Sequence, residues 1–384
     1  MIIPHKETLT FDLLVLSQVP GIGLVRLKNL INRFQTLENI KRAGAGELSR
    51  TPLIGEQLSD TISAFFHNQE VFQKASHNAE KQVLMLEKSD IRFVTFWDET
   101  YPSLLKEIGD APAYFFIRGE FKPEDSKSVA IVGTRSPSEY GKNATKKIAT
   151  ELAEAGVTII SGLAIGVDTE AHRAALDAGG RTLAVLGNGI DDIYTDRSRK
   201  LFPRILENGA IITEEWIGTP PVAENFPKRN RIISGLSLGV VIVESDVTGG
   251  SLITAKYALE QNRDVFAIPG SIFSRKSNGT NALIRDGAEL VSSGKEILES
   301  LNLLSKNKNS ERGNALLPLV LPEMTEQEIH VFRHLSESPL HIDLIAERTG
   351  LDISEVLVAL FELEFKDCAV QEAGRFFKKS AKYA

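Results

Sequence analysis

The sequence predicts an α/β fold: a doubly wound parallel sheet with a helical module before it and a winged-helix module after it. In the central part, short apolar runs of buried-strand length alternate with segments of helical periodicity, and glycines follow most of these runs. Near the two ends of the chain, at residues 11–66 and 325–366, helical patterns predominate instead. These observations together predict a mixed fold with one large sheet.

Residues 129–172 carry the clearest part of the pattern. The predicted elements of this β-α-β-α unit are a strand over residues 129–132, a helix over 140–155, a strand over 157–160 and a helix over 169–178. In such a unit the carboxyl ends of the parallel strands meet at one edge of the sheet. Ligands of doubly wound sheets bind at that edge, near the N-termini of the helices.

The same alternation continues on both sides of this unit. Further strands are predicted over residues 91–96, 113–117, 182–186, 210–213, 239–243 and 265–268. Further helices are predicted over residues 196–208, 226–237, 251–261 and 278–287. Strands that alternate with helices of this length favour a parallel sheet covered on both faces.

The N-terminal module contains a turn that is typical of a helix-hairpin-helix. Residues 19–23, Val-Pro-Gly-Ile-Gly, follow a short amphipathic helix predicted over residues 11–18, and a weaker copy at residues 53–55 precedes a helix over 56–66. Such a turn can offer backbone N–H groups to a phosphate. The alternative is a small helical bundle, of SAM-like type, in which the glycines only permit tight packing. We favour the bundle over a phosphate-binding turn, because the second copy of the turn lacks one glycine.

The C-terminal module is predicted to be a winged helix. It follows a polar linker at residues 305–314 and consists of helices over residues 325–336, 341–348 and 354–366 with a two-stranded wing formed by residues 369–371 and 375–378. The predicted domains are an N-terminal helical domain (1–85), a Rossmann-like domain (86–300), a linker (301–320) and a winged-helix domain (321–384).

Composition and charge restrict the classes of protein to which this chain can belong. Of the 384 residues, 42% are hydrophobic and 25% are charged, which is typical of a globular protein. We expect no membrane span and no signal peptide, and the single cysteine, Cys368, favours a reducing cytoplasm. The net charge is −7, so any binding of nucleic acid requires a local basic patch.

Common nucleotide and catalytic motifs are missing. The spacing from Gly133 to Lys142 is too long for a P-loop, and Asn143 replaces the hydroxyl residue that would bind magnesium. Asp168 and His172 lie four residues apart and could share a ligand. We favour an aspartate in the first turn of a helix, because no third ligand is in view. The sequence therefore predicts no catalytic residue, no metal site and no cofactor.

Residues suited to anion binding follow or flank the predicted strands. Glycine lets a backbone approach a phosphate closely, and arginine holds a phosphate with two parallel hydrogen bonds. The candidate residues are Gly133, Thr134, Arg135, Ser161, Gly162, Asn188, Gly189, Lys228, Arg229, Asn230, Arg231, Gly249, Gly250 and Ser251. The basic run within this set opens a helix, where a bound anion would relieve the repulsion between positive charges and the helix dipole. A solvated helix start is the alternative interpretation of that run.

Six blocks follow one another along the chain and read VAIVGTR, SGLAIGVDTEAH, LGNGIDDIY, FPKRNRIISGLS, GGSLITAKYALE and VFAIPG. Together and in this order they resemble the DNA-processing protein A (DprA/Smf) family. The resemblance is strong over about residues 91–290 and is consistent with both flanking modules. It implies an extended Rossmann-like domain.

The resemblance also implies a function. Members of the family bind single-stranded DNA, protect it and load the RecA recombinase onto it during natural transformation. They act as homodimers and are not known for catalysis. By resemblance, Arg135 would contact a phosphate. The residues that would line the groove for the strand are Ser161, Gly162, Asn188, Gly189, Lys228, Arg229, Asn230 and Arg231. Two departures, at Thr195 and at residues 248–251, affect only the geometry of local loops.

The alternative function is that of an enzyme, a nucleoside-monophosphate phosphoribohydrolase with a related sheet. Its fingerprint is Pro-Gly-Gly-x-Gly-Thr-x-x-Glu, whereas the comparable loop here reads TGGSLITA at residues 248–255. The third glycine and the glutamate are missing, which favours a binding protein.

Overall fold

The computed structural model describes residues 6–191, 201–303, 324–336, 339–366, 368–372 and 374–380. The chain forms two compact units, residues 1–304 and residues 305–384. The predicted linker at 305–314 and the variant position Thr195 lie outside the described residues.

The first unit begins with a group of helices. They are α1 (Lys6–Leu16), α2 (Leu24–Phe34), α3 (Leu37–Arg42), α4 (Ala45–Leu48), α5 (Glu56–His67) and α6 (Gln69–Glu87). The prediction that the first helix is amphipathic is wrong, because Leu13, Leu14, Val15 and Leu16 are all fully buried. Successive buried residues cover every side of α1, as expected for a helix at the centre of a small bundle. Gly21, in the turn before α2, has a φ of 81°, which glycine adopts without strain.

A nine-stranded sheet forms the centre of this unit. Its strands are β1 (Arg92–Thr95), β2 (Tyr114–Gly119), β3 (Ser128–Val132), β4 (Thr158–Ser161), β5 (Thr182–Leu186), β6 (Gly209–Thr213), β7 (Gly239–Ile242), β8 (Asp264–Ala267) and β9 (Glu289–Leu290). Their order is β1-β2-β6-β5-β4-β3-β7-β8-β9. The strands from β6 to β9 are parallel, as predicted.

The two strands at one edge depart from the prediction of a wholly parallel sheet. β1 pairs antiparallel with β2, and β2 pairs antiparallel with β6. An antiparallel edge strand on an otherwise parallel sheet is common in large α/β folds. The N-terminal helices pack against this end of the sheet, so that Leu14, Phe93 and Phe116 belong to one core. α6 extends to Glu87, two residues beyond the predicted domain boundary at residue 85.

Helices cover both faces of the parallel strands, which confirms the doubly wound architecture. They are α7 (Ser103–Glu107), α8 (Glu139–Glu154), α9 (Val167–Asp177), α10 (Leu201–Glu207), α11 (Asn225–Gly235), α12 (Ser251–Glu260), α13 (Asn278–Arg285) and α14 (Gly294–Ser300). Alternate residues of β3 face opposite cores: Ile131 packs with α8, α9 and α14, and Val132 packs with α11 and α12. The helix predicted over residues 196–208 is described from Leu201 onward.

The order of the strands reverses at β3, because the chain continues through β4 on one side and returns to β7 on the other. The helices that follow β3 and β7 lie on opposite faces of the sheet, so a crevice opens between the loops at the carboxyl ends of these strands. The candidate residues after β3 and β7 are therefore brought to one place. No helix in the described ranges is long and apolar enough to span a membrane.

The second unit is a winged helix with its own apolar core. Its elements are β10 (Leu340–His341), β11 (Ala369–Glu372), β12 (Phe376–Lys379), α15 (Glu326–His334), α16 (Ile342–Thr349) and α17 (Ile353–Phe365). The wing has three strands in the order β10-β12-β11, not the two that the sequence predicts. The additional strand has two residues, which is too short for a periodic pattern to be recognised.

Candidate nucleic-acid interface

A cleft of about 430 Å³ opens where the order of the strands reverses. We call it the switch-point cleft. Its wall is formed by the loops after β3, β4 and β7 and by the first turns of α11 and α12. The candidate residues that line it are Gly133, Thr134, Arg135, Arg229, Asn230, Gly249, Gly250 and Ser251. The structure thus brings together eight of the residues that the sequence singled out.

Arg135 is the exposed cation of this cleft. The loop that carries it is fixed by its backbone, because the Thr134 N–H donates to the Glu244 carbonyl oxygen (2.9 Å). Gly133 permits this close approach, since a Cβ atom there would lie 2.7 Å from Cγ2 of Val167. The Arg135 guanidinium lies over the ring of Phe226, 5.7 Å from its centroid. A cation–π contact of this kind orients the guanidinium and leaves its N–H groups available for a ligand.

Arg229 has a different role, because its side chain is buried at the floor of the cleft. Its Nη1 donates to the Gly162 carbonyl oxygen (2.8 Å) and to the Val185 carbonyl oxygen. The guanidinium therefore ties the segment that follows β4 to strand β5. Gly162 is required at this point, since a Cβ atom there would lie 2.5 Å from Nη2 of Arg229. The sequence predicts that Gly162 lines the groove. This prediction is wrong, because Gly162 is buried against Arg229 and serves packing.

Asp168 is a buried acid in the same region. Its carboxylate accepts hydrogen bonds from the N–H groups of Gly162 (3.1 Å) and Ala164 (3.4 Å). Burial raises the pKa of Asp168, and the positive charge of Arg229 opposes that shift. Asp168 therefore serves as the counter-charge of the buried arginine and fixes the β4–α9 loop. This agrees with the sequence-based preference for a first-turn aspartate over a metal ligand.

His172 is fully buried one turn beyond Asp168, and it does not line the cleft. The Thr182 hydroxyl donates to the Ile159 carbonyl oxygen (2.7 Å), so His172 Nδ1–H donates to that hydroxyl (2.6 Å). Burial, together with the charge of Arg229, lowers the pKa of His172 to about 3. The imidazole is consequently neutral at physiological pH.

The expected basic patch at residues 228–231 is split by the geometry of α11. Lys228 is exposed and Asn230 lines the cleft, but Arg229 and Arg231 point into the protein. Arg231 Nη2 lies 2.6 Å from each carboxylate oxygen of Glu214. The expectation that Arg231 faces a phosphate is therefore corrected, because its guanidinium is buried in an ion pair.

Ser161, Asn188 and Gly189 are also buried, which corrects the expectation that they face a groove. The Ser161 hydroxyl donates to the Ile131 carbonyl oxygen (2.6 Å) and so joins two neighbouring strands. The Gly189 N–H donates to the Thr219 carbonyl oxygen (2.8 Å). The loop after β6 thus packs against Gly189.

The N-terminus of α12 forms another wall of the cleft. The Ser251 hydroxyl donates to the Ser245 hydroxyl (2.9 Å), and a Cβ atom at Gly249 would lie 2.1 Å from that oxygen. Gly250 is exposed, with open space where a Cβ atom would lie. The N–H groups of Leu252 and Ile253 donate to the carbonyl oxygens of Gly249 (3.0 Å) and Gly250 (3.2 Å). The positive end of the helix dipole lies next to the cleft, where it favours an anion.

Two features of the cleft have no counterpart in the sequence analysis. Phe226 was noted only as the start of a helix, yet Arg135 and Arg229 both lie over its ring. Asp246 places a negative charge on the wall of the cleft, and it forms an ion pair with Arg275, in which Nε lies 2.5 Å from Oδ2 of Asp246. Both carboxylates that line the cleft, Asp168 and Asp246, are thus held by donors. The exposed guanidinium of Arg135 and the helix N-terminus then make the cleft suited to an anion such as a phosphate.

Metal binding finds no support in the geometry. Within the ranges that the structure describes, no group of three or more His, Cys, Asp or Glu side chains is arranged to hold a metal ion.

Comparison with known families gives matches in the N-terminal, central and C-terminal parts of the chain. A family described as DNA recombination-mediator protein A matches residues 92–302. The DprA winged helix domain matches residues 318–375, and a helix-hairpin-helix motif matches residues 13–74. The last match supports the helix-hairpin-helix interpretation of the N-terminal turn.

Individual relatives agree with this result. The chain is 34% identical to Protein Smf of Synechocystis sp., over 94% of this chain and 97% of the relative. It is 44% identical to the DNA processing protein DprA of Streptococcus pneumoniae, over 52% of this chain and 71% of the relative.

Among solved structures, DprA from Streptococcus pneumoniae has a TM-score of 0.62 at 34% identity and covers 76% of this chain and 97% of its own. A structure of DNA processing protein A from Helicobacter pylori, described for its single-stranded DNA binding mode, has a TM-score of 0.50 at 31% identity and covers 55% of this chain and 96% of its own. The chain therefore belongs to the DNA-processing protein A (DprA/Smf) family.

Proposed function

We propose that this protein binds single-stranded DNA through the switch-point cleft, without strong sequence preference. The observation that carries the proposal is the exposed guanidinium of Arg135, which is held over Phe226 beside the N-terminus of α12. Guanidinium and backbone N–H groups of this kind suit phosphate oxygens, so we expect recognition of the backbone and not of the sequence. Lys228 and Asn230 extend the contact along α11. The single-stranded DNA binding mode in the description of the Helicobacter pylori relative supports the choice of ligand.

The groups proposed to contact DNA are a reduced set of the sequence-based candidates. They are Gly133, Thr134, Arg135, Lys228, Asn230, Gly249, Gly250 and Ser251. The buried candidates contribute indirectly: Arg229 and Gly162 hold the floor of the cleft in place.

We further propose that DNA binding serves natural transformation in the cytoplasm. In that role the protein protects incoming single strands and loads the RecA recombinase onto them as a homodimer. The names of the relatives from Streptococcus pneumoniae and Bacillus subtilis, DNA processing protein DprA, support a role in DNA processing. A binding function without catalysis fits the cleft, because its two carboxylates are engaged by Arg275 and by backbone N–H groups.

The direct test is a titration of the protein with single-stranded and double-stranded oligonucleotides at several salt concentrations. We expect tighter binding of the single strand, with a logarithmic salt slope of about −0.7 for each phosphate that is contacted. Binding that does not depend on salt, or a preference for duplex, would contradict the proposal. Incubation with nucleoside 5′-monophosphates and chromatography for the free base tests the enzymatic alternative, for which we expect no product.

A further inference from the structure

We propose that Phe273 is a stacking platform for a nucleobase of the strand whose phosphates lie in the switch-point cleft. This inference rests on the proposed function and extends it from the phosphates to the bases.

Phe273 is the most exposed large apolar side chain in the described part of the chain, at 92% exposure, and Ile272 beside it is 79% exposed. Both occupy the corners of a tight turn, because the Ser274 N–H donates to the Ser271 carbonyl oxygen (3.0 Å). We call residues 271–274 the aromatic turn. Gly, Pro, Asn, Asp and Ser are the residues that favour turn corners, so local backbone preference does not account for isoleucine and phenylalanine here.

The aromatic turn belongs to the same edge of the sheet as the cleft. It follows β8, which lies two strands from β3 in the sheet, a separation of about 10 Å at the usual spacing of strands. The residues after the turn are fixed to the loops of the cleft. Lys276 Nζ donates to the Ser136 carbonyl oxygen (2.6 Å), and the Ser245 N–H donates to the Lys276 carbonyl oxygen (2.7 Å).

The charge around the aromatic turn favours a nucleic acid over an apolar protein partner. Arg275 pairs with Asp246 on the wall of the cleft, yet 84% of its side chain is exposed. An exposed aromatic ring that is followed by two cations and flanked by serines has the composition of a single-strand binding groove. In such grooves cations follow the backbone, and aromatic rings stack on bases of any sequence.

A pocket next to the turn gives the base space to enter. It has a volume of about 570 Å³ and is lined by Tyr140, Pro269, Gly270 and the serines at 138, 271, 274 and 277 together with Glu244. The ring of Tyr140 is half-exposed, while its hydroxyl donates to the Pro269 carbonyl oxygen (2.6 Å). The pocket thus presents aromatic surface and hydroxyl groups, both of which suit a nucleobase.

The test compares the full-length protein with Phe273→Ala in binding to a short oligothymidylate and to an abasic oligonucleotide of the same length. We expect Phe273→Ala to weaken binding to the oligothymidylate at least about fivefold, because loss of one stacked base costs about 1–3 kcal/mol. Binding to the abasic strand should be the same for both proteins, since the phosphate contacts are unchanged.

Phe365→Ala is the matched control. Phe365 is 84% exposed and lies in the winged-helix unit. The substitution therefore removes a similarly exposed ring that is not part of the aromatic turn. We expect its affinity for both strands to equal that of the wild type. In a Phe273→Trp variant, fluorescence beyond that of Trp97 and Trp216 should be quenched by the oligothymidylate and not by the abasic strand.

The outcomes separate this inference from the proposed function. If the wild type binds single strands and Arg135→Ala weakens that binding, but Phe273→Ala does not, the stacking role is overturned and the function stands. If Phe273→Ala instead changes the sedimentation of the protein at unchanged DNA affinity, the aromatic turn is a protein contact and the inference is overturned. If the wild type binds no single strand, the proposed function fails and the inference fails with it.

Discussion

Arg135 is the residue on which the proposed site depends most directly. Its guanidinium is exposed in the cleft and is oriented by the ring of Phe226. We expect Arg135→Ala to weaken single-strand binding by about 1–3 kcal/mol, because a charge-assisted contact to phosphate is lost. Fluorescence anisotropy with a labelled oligonucleotide measures this change. Arg135→Lys should restore only part of the affinity, since an ammonium group cannot form two parallel hydrogen bonds.

The same variants have a structural control. The side chain of Arg135 is exposed, so the free energy of unfolding of Arg135→Ala, measured with urea, should equal that of the wild type within about 0.5 kcal/mol. A folded Arg135→Ala protein with unchanged affinity would remove this residue from the DNA-binding site.

His172 predicts how the stability of the first unit depends on pH. The pKa of this buried imidazole is lowered to about 3, against an ordinary value of 6.5. Between these values the unfolded chain binds a proton and the folded chain does not, so stability falls as the pH decreases below about 6.5. We expect a loss of about 1 kcal/mol per pH unit from this group, measured by urea unfolding at pH 7.5, 6.5 and 5.5.

The His172→Asn variant isolates this contribution from those of other groups. It removes the titrating ring but keeps a donor for the hydroxyl of Thr182. The raised pKa of Asp168 acts in the opposite direction at lower pH and is present in both proteins. The difference in stability between wild type and variant should shrink as the pH falls. A constant difference would show that the pKa of His172 is the same in the folded and unfolded states.

At the scale of single elements, α11 carries two neighbouring cations with different roles, one that stabilises the fold and one that we propose to bind DNA. Arg229 is buried and bonds the carbonyl oxygens of Gly162 and Val185, while Lys228, the preceding residue, is exposed. We expect Arg229→Ala to lower the free energy of unfolding by about 3–5 kcal/mol, because buried acceptors and Asp168 lose their cation. Urea unfolding measures this loss.

Lys228→Ala is the matched variant on the same helix and should give the opposite result. Its stability should stay within about 0.5 kcal/mol of the wild type. Its DNA affinity should fall, and its salt slope should be smaller by about 0.7, because one phosphate contact is lost. Equal loss of stability in both variants would contradict the division of roles on α11.

The same helix shows how far the site could be predicted from the sequence. The basic run was recognised, but charge counting does not reveal which side chains point toward the sheet. Arg229 and Arg231 are buried because partners distant in sequence, Gly162 and Glu214, meet them there. Asn188 and Gly189 likewise follow a strand, which suggested an open groove. The loop that packs against Gly189 comes from after β6, a part of the chain that the local sequence does not reveal. Arg135 is exposed in the cleft, as expected of a residue in the loop after β3, and its contact with a phosphate stays a prediction.

The strands and helices themselves were predictable where their pattern depends only on the local sequence. The apolar runs of β3 and β7 are buried on both faces, so their length and β-branched composition identify them. The direction of β1 and β2 was not predicted, because periodicity defines a strand and not its neighbour. Likewise, α1 was predicted to be amphipathic, but its buried surroundings come from the other helices of the bundle.

At the scale of the whole molecule, the chain separates into two units, and the acidic character of the second suggests how DNA binding is divided. The helix that corresponds to a recognition helix, α17, carries Glu355, Glu362 and Glu364. Lys366, the basic residue that follows it, is paired with Glu328 at 2.8 Å. A recognition helix presents Arg, Lys, Asn or Gln to the DNA groove, so these carboxylates oppose such a role.

The exposed apolar residues of α17 fit a protein contact better than a DNA contact. Leu357 and Phe361 are 48% and 67% exposed, as a docking surface requires. Leu360, which the sequence placed beside them, is buried in the core of the unit instead. The wing retains Lys378 and Arg375, which could form only a peripheral contact with phosphates.

Removal of the residues after Leu304 therefore tests where the DNA-binding site lies. The first unit has its own apolar cores, so the truncated protein should fold and retain cooperative thermal unfolding. Its affinity for single-stranded oligonucleotides should stay within about threefold of the full-length value, because the switch-point cleft is intact and repulsion by the acidic helix is removed. Circular dichroism establishes folding, and anisotropy titrations at matched salt measure affinity. A folded truncated protein that loses most of its single-strand affinity would place the principal site in the winged helix.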